Sequence, residues 1–158
     1  RKSCQNAINM ILRNILLILI SVIIIYLNFL RLNSFILQPI ILGDFANNTI
    51  SISSNEINKI DYLYPTLAIN TIPMSTLVSR YQMKKNNFSA SINLCKDGIE
   101  ANPYLAFSDY QLSRIYTELK MFNKAYHHIE KAYKLSPNII SISALYEALK
   151  EIQNNNVN

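Results

Sequence analysis

The hydrophobic and polar positions divide the chain into an unbroken apolar stretch near the N-terminus and a long region with helical periodicity towards the C-terminus. The apolar stretch covers residues 14–30, reads NILLILISVIIIYLNFL and lies between Arg13 and Arg31. As a helix it is roughly 25 Å long, and flanking arginines can extend to the headgroups of a hydrocarbon core of about 30 Å. The stretch therefore predicts a transmembrane helix, and residues 1–31 are interpreted as a membrane anchor with basic flanks.

The charges around the apolar stretch predict its orientation. It is preceded by Arg1, Lys2 and Arg13 without an acid, whereas Arg31 alone follows closely and Asp44 soon offsets it. Because basic flanks stay on the cytoplasmic side of a membrane, the C-terminal region is expected on the non-cytoplasmic, periplasmic side. The alternative is a cleaved signal peptide, which shares the basic start and the apolar core. The apolar core is long for a signal peptide, and no small-residue cleavage site follows it.

Residues 32–71 are interpreted as a connector. Within it, residues 53–56 read SSNE and fit a capping box that begins a short helix through Leu63. The apolar residues 35–42 are too few to span a bilayer. They are expected to lie at the membrane interface or to pack on the region that follows.

Residues 72–152 combine helical periodicity with a repeat of 34 residues. The residues that recur at this spacing are Asn102-Pro103 with Ser136-Pro137, Phe88 with Phe122, and Gly98 with Ala132. A fixed period of this length is typical of stacked helical hairpins, in which each unit buries its apolar face on a neighbour. The pattern predicts helices over 74–85, 89–101, 106–119, 122–135 and 140–152. Residues 153–158 are predicted to form a disordered polar tail.

With these positions the region resembles the tetratricopeptide repeat family. The second unit has its signature residues at Leu112, Ser113, Tyr116, Phe122, Ala125, Ile129, Ala132 and Pro137. The first unit is a more divergent copy, with Ser91 in place of the usual Ala and Gln82 in place of the usual Tyr. The resemblance implies an all-α, bacterial-like protein in which a transmembrane helix precedes about two and a half helical hairpins. The final helix would serve as a solvating cap.

The resemblance also implies a binding groove, because the first helix of each pair lines a concave surface that binds peptides or partner helices. The corresponding residues here are Thr76, Arg80, Met83, Lys84, Phe107, Tyr110, Arg114 and Thr117. Arg80 and Arg114 would lie one repeat apart on one wall. Guanidinium groups bind carboxylates bidentately, so the expected partner is an acidic peptide or a protein C-terminus. The alternative is that both arginines are ordinary solvated residues.

Composition and charge reduce the number of functions that the chain could have. The net charge is +5, without the basic cluster of a nucleic-acid-binding face. The chain has two Gly, too few for a dinucleotide or P-loop fingerprint, and no cofactor, metal spacing or catalytic constellation is predicted in these residues. Cys95 is expected to be a small buried hydrophobe, while His127 and His128 are expected on the outer surface.

Two functions are consistent with this pattern. The first is a membrane-anchored interaction scaffold, in which so few repeats need support from the connector, the membrane, self-association or a partner. The second is the C-terminal tail of a larger polytopic enzyme of surface-polysaccharide assembly, since the layout is loosely similar to C-terminal regions in the O-antigen ligase and polymerase group. The catalytic part would then precede Arg1.

Overall fold

The computed structural model describes residues 2–57 and 66–155, and this part of the chain is all-helical, as the sequence predicts. The helices are α1 Lys2–Asn47, α2 Ser54–Ile57, α3 Met74–Lys84, α4 Phe88–Ala101, α5 Ala106–Glu118, α6 Phe122–Leu135 and α7 Ile140–Asn155. An isolated antiparallel bridge joins Leu67 to Pro73 just before α3. We call the part from α3 to α7 the repeat region.

The helices of the repeat region lie where the periodicity predicts them. The bounds of α3, α4, α5 and α6 agree with the predicted bounds to within one residue. The last helix, α7, continues past the predicted end at residue 152 to Asn155. The predicted polar tail is therefore partly helical, because Ile152 and Gln153 still turn a half-buried side towards the rest of the protein.

The repeat in the sequence is matched by a repeat in the backbone. The turn between α3 and α4 has Asn86 at φ 59°, and the turn between α5 and α6 has Lys120 at φ 56°. In the first turn the Asn86 N–H donates to the Met83 carbonyl, and in the second the Lys120 N–H donates to the Thr117 carbonyl, both at 2.9 Å. Both hairpins thus close with a residue in the left-handed conformation at the equivalent position of the turn. Asn adopts this conformation more readily than Lys.

Each helix of the repeat region packs on the next one along the chain, and α3 also contacts α5. The first helices of the two hairpins therefore lie side by side. Two apolar clusters result. One joins the end of α1 to α3 through residues such as Ile41, Leu77 and Tyr81. The other joins α4 to α7 and includes Leu112 and Ile129.

The helix α1 continues past Arg31, the last residue of the predicted anchor, into the predicted connector. Residues 32–47 continue it, because Leu37, Ile41 and Phe45, spaced at four residues, pack against the cluster around α3. This burial maintains the helix through Pro39, which lacks the N–H that would bond the Phe35 carbonyl. The alternative that residues 35–42 pack on the repeats is confirmed for the buried side of this segment.

The other side of α1 is exposed along its apolar length. Among the described residues, α1 is the one helix that is long and apolar enough to cross a membrane, with a mean hydropathy of 2.6 over its most apolar window. That window is 0% buried by the rest of the protein. Its composition fits a membrane span or a signal sequence, but its exposure does not fit the core helix of a soluble domain.

The predicted capping box is present at the start of α2. The Ser53 N–H donates to a Glu56 carboxylate oxygen at 3.0 Å, and the Glu56 N–H donates to the Ser53 hydroxyl at 3.4 Å. This reciprocal pair satisfies two N–H groups at the helix start. The predicted continuation to Leu63 falls on residues 58–65, which lie outside the described residues.

Candidate functional site

The candidate site is a concave surface formed by α3, α5, the start of α7 and the end of α1, here called the groove. It contains two cavities, of about 550 Å³ and about 230 Å³. Asn48, Arg80 and Arg114 line both, so the cavities adjoin at these three residues.

The two cavities differ in chemical character. The larger one is mainly apolar and aromatic, with a lining that includes Phe45, Ile72, Phe107, Tyr110, Ile139 and Ile142. The smaller one is mixed, because charged and amide side chains share its lining with Ile50, Met83 and Phe88. Its further polar residues are Lys84, Asn86, Gln111 and Glu118. A peptide that followed the groove would therefore meet an apolar part and a part of mixed character, with the two arginines between them.

Most of the predicted groove residues line these cavities. The larger cavity is lined by Arg80, Phe107, Tyr110 and Arg114, and the smaller one by Met83 and Lys84 together with the same arginines.

Two predicted groove residues are placed differently. Thr76 is fully buried, and its hydroxyl is 2.7 Å from the Ser108 hydroxyl of α5. It belongs to the contact between helices beneath the groove, because it lies one turn before Arg80, where α3 packs on α5. Thr117 lines neither cavity, and its hydroxyl donates to the Ser113 carbonyl at 2.9 Å. Neither residue belongs to the accessible lining.

Arg80 is held by residues at the end of α1. Its guanidinium lies 5.0 Å from the centre of the Phe45 ring, and Nη2 donates to Asn48 Oδ1 at 3.4 Å. The residue is only 8% exposed, so it is not an ordinary solvated arginine. Burial lowers the pKa of Arg80, the positive charge of Arg114 lowers it further, and Asp44 opposes both effects. An arginine still keeps its charge in such surroundings.

Arg114 occupies the equivalent place on α5. It lies 5.8 Å from the centre of the Tyr110 ring, and Nη1 donates to Gln111 Oε1 at 3.4 Å. The salt bridges among the described residues involve neither Arg114 nor Arg80. Each guanidinium therefore lies against an aromatic ring and is hydrogen-bonded to a neutral amide. In the described part of the chain neither forms a salt bridge with an acid, although Glu118 shares the lining of the smaller cavity.

Asp44 on α1 is the acid whose charge acts on Arg80, but its oxygens are already engaged. They accept hydrogen bonds from the Tyr81 hydroxyl at 2.8 Å, from the Ser51 N–H at 2.8 Å and from the hydroxyls of Ser51 and Thr49 at 2.8 and 2.9 Å. Burial opposes ionisation, but these hydrogen bonds outweigh it and lower the pKa of Asp44 to about 2. Asp44 thus fastens the end of α1 to α3.

The sequence prediction missed the contribution of α1 to the groove. Phe45 and Asn48 lie within the predicted connector, and Asp44 enters the sequence prediction only as an acidic residue that follows the apolar stretch. The available signal was the apolar spacing of Leu37, Ile41 and Phe45, which continues the helical period beyond Arg31. The contribution of Ile139, just before α7, and of Ile142, in its first turn, to the groove lining was missed as well.

The remaining candidate residues lie away from the groove. His127 is exposed, as predicted, but His128 is half-buried, with Nδ1 2.7 Å from Asp109 Oδ1. The predicted outer position of His128 is corrected, because its ring turns back onto α5 and stacks on Tyr116. Cys95 is fully buried, as predicted, and burial raises the pKa of its thiol to about 12. In the described ranges, no group of three or more His, Cys, Asp or Glu residues could hold a metal ion.

Comparison with known proteins adds no assignment. No protein-family model matches this chain, and neither does any curated protein.

Proposed function

We propose that this chain is a membrane-anchored scaffold of the tetratricopeptide type, and that its groove binds an acidic peptide segment or a protein C-terminus. The observation that carries the proposal is the pair Arg80 and Arg114, which line one groove without an acid partner. Because each guanidinium is preoriented on an aromatic ring, little side-chain entropy is lost when a carboxylate binds.

The rest of the groove fits a peptide ligand. The larger cavity has a volume of about 550 Å³, within the range that ligand sites of proteins occupy. Phe107 and Tyr110 supply apolar surface beside the arginines, so an acidic peptide with apolar side chains is favoured over a small inorganic anion. Such a peptide would replace Asn48, a neutral partner, with a charge-assisted one.

The anchoring part of the proposal is supported by α1. Its apolar length lies uncovered by the rest of the protein, and burying it in lipid removes that surface from water. The basic residues before the span support a non-cytoplasmic position for the repeat region. A scaffold of this kind would present its groove to envelope proteins close to the membrane.

The test is peptide binding to the full chain in detergent micelles or nanodiscs. The probes are two fluorescein-labelled peptides of alternating Glu and Leu, one with a free C-terminus and one amidated. Since a hydrogen bond to a charged group contributes about 1.5–3 kcal/mol, Arg114→Ala should weaken binding by about tenfold to a hundredfold. Arg80→Ala with Arg114→Ala should weaken it further.

The matched control is Lys96→Ala with Lys131→Ala, which removes the same charge from exposed positions on α4 and α6. This variant should bind the peptides as the natural chain does. If the control weakened binding as much as the double arginine variant, the interaction would be a general effect of charge. If the intact protein bound neither peptide, the proposed ligand class would be wrong.

A further inference from the structure

The repeat region exposes three large apolar side chains to an unusual degree. Ile69 is 71% exposed, Tyr104 is 87% exposed and Ile140 is 84% exposed. No other large apolar residue among the described residues after Ile36 is more than 48% exposed. Single exposed apolar residues are common on protein surfaces, so the position of these three decides whether they have a shared role.

All three lie at the same end of the repeat region. Ile69 and Tyr104 belong to the turns that precede α3 and α5, and Ile140 is the first residue of α7. The Asn102 side chain donates to the Thr71 carbonyl at 3.2 Å and so joins the first two turns. Because α3, α5 and α7 are alternate helices of the array and run in the same direction, the exposed apolar residues at their starts lie at one end of the repeat region.

The apolar length of α1 leaves the protein at this end. Along α1, Gln38 Oε1 accepts from the Ile69 N–H at 3.2 Å, while Asp44, further along, accepts from the Tyr81 hydroxyl at 2.8 Å. The helix α1 therefore runs in the same direction as α3. Its N-terminal part, which holds residues 14–30, projects beyond the end that carries Ile69.

The distances along α1 place this end near the proposed membrane boundary. Leu32, Phe35 and Ile36 are 56%, 62% and 57% exposed, so exposed apolar side chains recur past Arg31 as far as residue 36. A helix over residues 14–36 is roughly 34 Å long, close to a hydrocarbon core of about 30 Å, with Arg31 reaching back to the headgroups. Gln38 then lies about 3 Å beyond the core along the helix axis, within the headgroup layer.

We propose that the end of the repeat region marked by Ile69, Tyr104 and Ile140 rests on the lipid surface of the membrane that α1 crosses, with these side chains in the headgroup layer. The inference rests on the proposed membrane span. Tyrosine suits this layer because its ring is apolar and its hydroxyl stays hydrated. The contact would give a short repeat array the support that its few units lack.

The contact is apolar rather than electrostatic. At this end of the repeat region Lys134 already pairs with Glu130 at 3.3 Å, and the exposed Glu100 lies at the end of α4. The surface is therefore not a basic patch of the kind that selects anionic lipids. Uncharged phosphatidylcholine should be sufficient for the contact.

The experiment measures the depth of single labels in phosphatidylcholine vesicles that contain the full chain. Cys4→Ser removes one thiol, and Cys95 is fully buried. A fluorescent NBD group is then attached, one position at a time, to Ile69→Cys, Tyr104→Cys, Ile140→Cys, Met121→Cys and Ile23→Cys. Nitroxide quenchers are placed on the lipid headgroup or within the acyl chain.

The control position is Met121, in the turn at the opposite end of the 13-residue helix α5 and thus about 20 Å further from the proposed surface. Headgroup nitroxide should remove most of the fluorescence at positions 69, 104 and 140 and leave that at position 121 unchanged. Acyl-chain nitroxide should quench position 23. If position 23 were quenched while the three turn positions behaved like position 121, the membrane span would stand and the lipid contact would be overturned. If position 23 were not quenched, both proposals would fail.

Discussion

Gly98 allows α4 to approach α3 and α5 at the point where the three helices meet beneath the groove. A Cβ atom at this position would lie 1.9 Å from the Thr76 hydroxyl oxygen and 2.9 Å from the Ser108 hydroxyl oxygen. These two hydroxyls are hydrogen-bonded to each other at 2.7 Å in a fully buried environment. Gly98→Ala should therefore destabilise the repeat region, although alanine is the better helix former.

The size of the effect follows from two contributions that destabilise the variant and one that stabilises it. Overpacking costs about 1–3 kcal/mol. Displacing the Thr76 side chain leaves buried hydroxyls without a partner, which costs about 1–3 kcal/mol. Alanine in a helix is favoured over glycine by about 1 kcal/mol. The net expectation is a loss of about 3 kcal/mol in the free energy of unfolding.

The assay is urea unfolding of the full chain in a mild detergent, followed by near-ultraviolet circular dichroism of its 10 tyrosines, since the chain has no tryptophan. Combining Gly98→Ala with Thr76→Ala removes the side chain that the new methyl group meets. The double variant should therefore lose less stability than the sum of the two single variants. A Gly98→Ala chain that was as stable as the natural one, or more stable, would refute the close approach of the three helices.

Two further predictions concern the attachment of α1 to the repeat region. The pKa of Asp44 is about 2 in the folded protein, compared with about 3.9 in an unfolded chain, so its ionisation contributes about 2.5 kcal/mol above pH 4 or so. This contribution should be lost as the pH falls towards about 2, and Asp44→Asn should flatten the pH dependence of urea unfolding in that interval; an unchanged pH profile would contradict the hydrogen-bonded role. Phe45→Ala should cost about 2 kcal/mol because the ring is half-buried. Phe45→Leu, which keeps most of the side-chain volume, should mainly weaken binding of the Glu-Leu peptides, because Arg80 loses the ring on which it lies. If both variants bound the peptides as tightly as the natural chain, the ring would have no role in the groove.

The sequence predicts the repeat region closely because its determinants are local. Helical periodicity, the proline after each unit and the 34-residue spacing together define α3 to α6 to within one residue. The capping box at Ser53 and Glu56 can also be predicted from the sequence, since its donors and acceptors are only three residues apart. The apolar composition of residues 14–30 likewise indicates a membrane-compatible helix without reference to any partner.

The groove was predicted less completely, because the direction in which a side chain points depends on what packs against its helix. Arg80 and Arg114 line the groove, but Thr76, one turn before Arg80, is buried against Ser108. From the sequence, Thr76 and Arg80 were equivalent members of one helix face. Their difference arises where α4 and α5 contact α3.

The sequence by itself therefore determined the helices of the repeat region and the apolar length of α1, since both follow from local spacing and composition. Only the tertiary structure decided that α1 continues to Asn47 and forms part of the groove. That outcome depends on contacts between residues far apart in the chain, such as the hydrogen bond from Tyr81 to Asp44 and the stacking of Arg80 on Phe45. Local sequence patterns do not contain those contacts, because they form only when packing brings the two segments together.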